Sequence, residues 1–244
     1  VSEADVQALH NFLEGFDGWL DGVAVQRFRS AKVRALLAYL GVEAGRVHRR
    51  EALATLLWGE YPQREAQQSL SQALTNLRSL LGTGPAAAEP PLKITRQAVQ
   101  LRADADLLWV DVHAFDSLVA AADAGRTSAL EETDVADLLA EAVALYQGPF
   151  LAGLSLPDSR EFEEWLMLHR EQRHQAMQLA LGRLVNHHLA DGRIELVEQY
   201  ARHQLALEPW NENGHQTLML ALALEGQRTA ALQQYETCRR ILAD

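Results

Sequence analysis

The chain has 244 residues, 48% of them hydrophobic and 23% charged, a balance that fits a folded globular protein and excludes disordered and collagen-like classes. No run of about 18 apolar residues occurs, and the opening Val1-Ser2-Glu3-Ala4-Asp5 is acidic where a signal peptide is basic, so a cytoplasmic protein with no membrane span is expected. A single cysteine, Cys238, excludes an internal disulfide and a cysteine-rich zinc site and is expected as a small buried residue.

The net charge of −11 is unevenly distributed. Residues 113–244 carry 10 basic against 20 acidic side chains, whereas the window Arg27–Arg102 carries 12 basic against 5 acidic. That asymmetry predicts a nucleic-acid-facing module joined to a module with a different partner. The length predicts two domains, placed at 1–110 and 111–244.

In chain order, residues 9–29 combine Leu9, Phe12, Phe16 and Trp19 with Gly15, Asp17-Gly18 and Asp21-Gly22, a turn density that predicts short strands in a small β-sheet. Ser30 is placed to cap a helix on which Val33, Leu36, Leu37 and Leu40 recur at helical spacing, ending at Gly41 or Gly45. A second helix is predicted from Arg49 to Trp58, stopped by Gly59 and Pro62, and a third from about Arg64 to Leu81. The third has an apolar stripe of Leu70, Ala73, Leu74, Leu77, Leu80 and Leu81, with Gly82 placed to end it. After a Gly/Pro/Ala-rich connector over 82–91, Leu92–Arg96 and Ala98–Arg102 alternate apolar and polar residues around a turn and predict a β-hairpin.

Beyond Asp111 the pattern is helical throughout: Val112–Ala124, Thr133–Tyr146, Ser159–Leu189, Ile194–Leu207, Glu212–Leu224 and Thr229–Ala243. Asp191-Gly192-Arg193 recurs as Glu225-Gly226-Gln227, 34 residues later, the period of tetratricopeptide repeats, and Pro209 closes one unit. The expected fold is therefore mainly α. An N-terminal winged helix of small β-sheet, three helices and β-hairpin wing precedes an all-α, tetratricopeptide-like domain.

Several strings carry a resemblance across nearly the whole chain. In the first half these are Phe28-Arg29-Ser30-x-Lys32-Val33-Arg34-Ala35-Leu36-Leu37-Ala38-Tyr39-Leu40, Arg50-Glu51-x-Leu53-Ala54-x-Leu56-Leu57-Trp58 and Leu74-x-Asn76-Leu77-Arg78. In the second half they are Tyr146-x-Gly148-Pro149-Phe150-Leu151, Trp165-Leu166, His169-Arg170-Glu171 and Pro209-Trp210-Asn211-Glu212-x-x-His215-x-x-Leu218-Met219. Together they resemble the antibiotic-regulatory-protein type of bacterial transcriptional activator, an OmpR-like winged helix joined to a bacterial transcriptional activation domain. The resemblance implies that the third helix enters the major groove of double-stranded DNA while the hairpin wing approaches the minor groove or its phosphates. It also implies that the helical domain supports homodimerisation, contact with RNA polymerase, or signalling from a further regulatory domain.

The residue chemistry supplies candidates for each role. Lys32, Arg34, Arg49, Arg50, Lys93, Arg96 and Arg102 are cations within or beside the elements expected to flank DNA, where phosphate anchors are needed. Gln68, Ser71, Gln72, Thr75 and Asn76, at helical spacing on the third helix, present donors and acceptors suited to base edges, with Arg78 as that helix's basic residue. Relatives of this type carry several Arg or Lys on that helix, whereas Gln67, Gln68, Ser71 and Gln72 stand there in this sequence.

Catalysis is not expected, since the sequence has no phosphate loop, dinucleotide fingerprint or nucleophile elbow. No cofactor is expected. His169, His174, His187, His188, His203 and His215 lack the spacing of a helical zinc site and are expected to be solvated or at the edge of the core. Trp58, Trp165 and Trp210 are expected in core packing. The competing expectation is a protein-interaction module whose winged helix no longer binds DNA, the N-terminal part of a larger NTPase regulator.

Overall fold

The computed structural model describes residues 7–9, 19–20, 23–24, 28–81, 90–103, 108–125 and 132–243. The chain divides into two compact units. One comprises Val1–Phe115 and Leu145–Arg173, and the other Asp116–Ala144 and His174–Asp244.

Among the described residues of the first unit the strands come in three small sheets. Strand β1 (Gln7–Leu9) pairs in parallel with β7 (Leu108–Val110), and β2 (Trp19–Leu20) pairs antiparallel with β3 (Val23–Ala24). The predicted N-terminal strands are thus present, and the remainder of that prediction, like the connector at 82–89, lies outside the described residues. A third sheet has the order β4 (His48–Arg49), β6 (Ala98–Leu101), β5 (Leu92–Ile94), antiparallel throughout. The hairpin was legible in the alternation of residues 92–102; β4 is too short to leave a periodic signal.

Helix α1 (Ala31–Val42) begins as the sequence predicts, with Ser30 Oγ accepting the Val33 amide at 3.3 Å. It ends past Gly41, and the positive φ of 85° falls at Gly45, whose amide donates to the Leu101 carbonyl at 2.7 Å and so ties the end of α1 to the wing. Helix α2 (Arg50–Trp58) starts one residue later than predicted because the Arg49 backbone belongs to β4. On α3 (Gln63–Leu80), Ala66, Leu70, Ala73, Leu74 and Leu77 are buried at three-to-four-residue spacing, one stripe against α1 and α2. Each buried leucine there contributes on the order of 2 kcal/mol by leaving water.

Residues 145–173 complete this unit with a turn-rich segment followed by the start of α6 (Arg160–Ala190). Leu151, at φ 49°, and Gly153, at φ 73°, reverse the chain so that three carbonyls converge on one side chain. The Arg170 guanidinium donates to the carbonyls of Phe150 (2.9 Å), Leu151 (2.7 Å) and Leu154 (3.0 Å). Glu163 accepts from Ser155 Oγ at 3.0 Å and from the Leu156 amide. The rings of Phe150, Phe162 and His169 pack around Trp165, which also meets Tyr39 at 5.1 Å between centroids. Burial and the neighbouring Arg173 cation lower the His169 pKa to about 4, so the ring is neutral and its Nδ1 can take the Arg173 proton donor at 2.8 Å.

Among its described residues the second unit is all α: most of α4 (Asp111–Gly125), α5 (Glu132–Leu145), the latter part of α6, then α7 (Ile194–Leu207), α8 (Glu212–Leu224) and α9 (Arg228–Ala243). The 34-residue repeat is reproduced bond for bond. At the end of α6, the amides of Asp191, Gly192 and Arg193 donate to the carbonyls of His187, Leu189 and His188; at the end of α8, Glu225, Gly226 and Gln227 donate to Ala221, Ala223 and Leu222. Gly192 (φ 71°) and Gly226 (φ 79°) occupy the left-handed position of each turn. Val197, Ala201, Leu218, Ala221 and Leu222 fill the space between α7 and α8.

Three sequence expectations change here. Trp210 is 64% exposed, because it stands in the α7–α8 turn ahead of the cap residue Asn211, and the interior position beneath is taken by His215, which is buried and bonded to the Pro209 carbonyl at 2.8 Å. Trp165 is half-buried within its aromatic cluster, and Trp58 is buried as expected. Cys238 is half-buried, since α9 contributes no buried residue at all.

Candidate nucleic-acid interface

Burying the leucine stripe of α3 leaves Arg64, Gln68, Ser71, Gln72, Thr75 and Arg78 exposed on its other side. Apart from the adjacent pair Ser71 and Gln72, these positions advance by three or four residues, so they form one continuous row along the helix. Thr75 Oγ1 donates to the Ser71 carbonyl at 2.9 Å and Ser71 Oγ donates to the Gln67 carbonyl at 2.7 Å. Gln68 and Gln72 stand exposed beside these hydroxyls, each with an amide group that donates and accepts at once. Asn76 differs from its neighbours: it is half-buried, and its Oδ1 accepts the Arg29 amide at 3.5 Å. A cavity of about 430 Å³ runs beside this row, bordered by Gln72, Thr75 and Asn76 on α3 and by Arg29 and Ser30 ahead of α1.

The wing stands next to this row through one residue. The Arg50 amide donates to the Gln97 carbonyl at 2.9 Å, and the Arg50 guanidinium donates to Ser71 Oγ at 2.7 Å. Arg50 thereby joins the wing turn to the middle of α3. The turn itself is held by Thr95, whose amide donates to the Ala98 carbonyl at 2.8 Å and whose Oγ1 accepts the Ala98 amide at 2.9 Å. Arg96 projects from that turn and is exposed. In the register of the sheet Lys93 lies opposite Gln100 and Arg49 opposite Ala98. Because residues directly opposite share a face and Ala98 and Gln100 are two apart, Arg49 and Lys93 lie on the same face, and both are exposed.

Arg49 on β4, Arg50 at the start of α2, Gln68, Ser71, Gln72, Thr75 and Arg78 on α3, and Lys93 and Arg96 on the β5–β6 hairpin thus lie on neighbouring elements linked through Arg50. Arg64, on the same row one turn before Gln68, was passed over in the sequence although its four-residue spacing to Gln68 was the signal. Lys32, Arg34 and Arg102 are set differently, each half-buried. Lys32 Nζ lies 2.8 Å from Asp158 Oδ2 and over the rings of Trp58 (5.6 Å) and Tyr61 (4.8 Å). The Arg102 amide donates to the Pro91 carbonyl at the base of the wing. Among the described residues no group of three or more His, Cys, Asp or Glu side chains could hold a metal ion, and no helix is long and apolar enough to cross a membrane.

Comparison with known proteins matches residues 110–244 to the family described as bacterial transcriptional activator domain. The chain is 32% identical over 230 residues to the regulatory protein AfsR of Streptomyces coelicolor, covering 93% of this chain and 21% of that protein. It is 28% identical over 223 residues to the AfsR protein of Streptomyces griseus, covering 88% of this chain and 20% of that one. The chain thus spans about a fifth of the length of these curated relatives. Among solved structures it is similar to Mycobacterium tuberculosis EmbR in complex with a low affinity phosphopeptide, with a TM-score of 0.66, 26% identity, and coverage of 98% of this chain and 60% of that one. The family match, the regulatory relatives and the shared architecture of winged helix and helical repeats together place this chain in the bacterial transcriptional activator domain family, among activators of the antibiotic-regulatory-protein type.

Proposed function

We propose that the chain binds double-stranded DNA sequence-specifically, with α3 in the major groove and the β5–β6 wing on the adjacent backbone, and acts as a transcriptional activator. The observation that carries this reading is the double attachment of Arg50, which sets the polar row of α3 and the cationic wing side by side. Gln68 and Gln72 supply paired donors and acceptors for adenine edges, while Arg49, Lys93 and Arg96 supply phosphate charge. Arg64 and Arg78 at the two ends of α3 add two further cations to the same surface. Asn76, half-buried, contributes to the placement of α3 more than to base contact, and Lys32 is assigned no phosphate.

The test is selection from a random duplex library by the full chain, repeated at two salt concentrations. An enriched motif is expected, with log Kd against log salt showing a slope magnitude of roughly 4 to 6, given the cations available. Binding with no salt dependence would overturn the reading. The shortage of Lys and Arg on α3 and the net charge of −11 favour one second reading, a protein-interaction module that leaves DNA unbound. The second unit is assigned the protein contacts, because helical repeats of this kind present extended surfaces to partners. RNA polymerase, a further regulatory domain and a second copy of the chain are the candidates, separable by crosslinking in the presence of each.

A further inference from the structure

The start of α6 and the residues before it reach the α2–α3 turn, within the first compact unit. Ser159, fully buried, donates its hydroxyl to the Leu57 carbonyl at 2.7 Å, 102 residues away in sequence. Leu57 lies in the last turn of α2, where the amide four residues on would ordinarily satisfy its carbonyl. That amide, from Tyr61, is bonded to the Trp58 carbonyl instead. Beside this bond, Asp158 is paired with Lys32, and the Lys32 ammonium lies over Trp58 and Tyr61, the two aromatic residues that bracket the turn. Glu161 stands on the same side: a methyl group at Gly59 would lie 3.2 Å from its carboxylate.

We infer that Asp158, Ser159 and Lys32 are positioning residues for DNA reading: a strap from the activator-domain sequence, clamped on the α2–α3 turn, that fixes where α3 begins and hence the register of Gln68 and Gln72. This rests on the DNA-binding reading above. The strap lies within the region matched by the activator-domain family and not in the predicted winged helix of 1–110, so the reading surface depends on residues outside that boundary. A phosphate-anchoring Lys32 and a strap-holding Lys32 respond to added positive charge with opposite sign. Asp158→Lys adds positive charge: simple electrostatics predicts tighter binding to every duplex, whereas loss of the strap predicts weaker binding to the selected motif.

The experiment compares Asp158→Lys, Asp158→Glu and Ser159→Ala in the full chain, reading affinity for the selected duplex, affinity for a scrambled duplex, and amide hydrogen exchange over Gly59–Tyr61 without DNA. Asp158→Lys and Ser159→Ala are expected to weaken binding to the selected duplex about fivefold, the scale of one lost hydrogen bond, and to leave the scrambled duplex equal or tighter. Both are expected to speed exchange in the turn, while Asp158→Glu restores protected exchange and selected binding. Tighter binding of both duplexes by Asp158→Lys, or equal losses on both, overturns the proposal, as does unchanged exchange in the turn. If the unsubstituted chain binds no duplex, the DNA reading fails, and the exchange data still decide whether the strap holds the turn.

Discussion

The two compact units are stabilised in different ways. In the second, order is local and periodic: a glycine turn with three fixed amide-to-carbonyl bonds recurs after 34 residues, and α7 packs on α8 as α8 packs on α9. In the first, order depends on residues far apart in sequence meeting at single points, as Ser159 meets Leu57 and Tyr39 meets Trp165. A periodic unit distributes its stability over many similar contacts, whereas a unit built on long-range contacts concentrates it in a few side chains. Substitutions test that contrast directly.

The largest effect is expected at Phe162, which is fully buried beneath the aromatic cluster. Phe162→Ala is expected to cost about 3 to 5 kcal/mol in chemical denaturation, because the cavity it leaves is lined by rings that cannot collapse into it. Arg170→Ala is expected to cost about 3 kcal/mol, since one guanidinium serves three carbonyls. Hydrogen exchange should localise the loosening from both changes to residues 145–173; spread evenly over the chain, it would contradict the concentrated view of the first unit.

A smaller but more discriminating effect concerns recognition. Gln72→Ala is expected to cost about 1 to 3 kcal/mol at a selected duplex while leaving a scrambled duplex nearly unchanged. Asn76→Ala, read as a placement residue, should in addition lower the thermal midpoint. Equal losses on all duplexes for Gln72→Ala would remove it from the groove.

In the second unit, Gly192→Ala and Gly226→Ala are each expected to cost about 1 kcal/mol. An added methyl group meets nothing within 4 Å at either site, so only the positive φ opposes it. The two costs should match, and a clear inequality between them would break the bond-for-bond equivalence of the repeats.

A separate effect is on pH. Burial and Arg173 lower the pKa of His169 to about 4, and burial also lowers those of His188 and His203. A histidine with a lowered folded pKa binds fewer protons folded than unfolded, so its contribution is present above the unfolded value near 6.5 and is lost as pH falls from there toward 4. Thermal midpoints should decline over that interval, and His169→Gln, which keeps an acceptor toward Arg173, should flatten the decline. An unchanged profile would remove His169 as its source.

Much of this organisation was legible in the sequence. The leucine stripe of α3, the Ser30 cap, the alternation of 92–102 and the glycines at 192 and 226 follow from spacing, because helix and strand periods are set by backbone geometry and leave their mark on nearby residues. What spacing could not convey was partnership. Lys32 reads as a free cation until Asp158, 126 positions later, is seen beside it, and Trp210 reads as core until His215 is found in the interior position. The polar row of α3 was determined by the sequence itself. Its alignment with the wing through Arg50, and the strap at Asp158 and Ser159, were decided only by the tertiary structure, because contacts between distant residues depend on how the packed elements meet and have no local period to announce them.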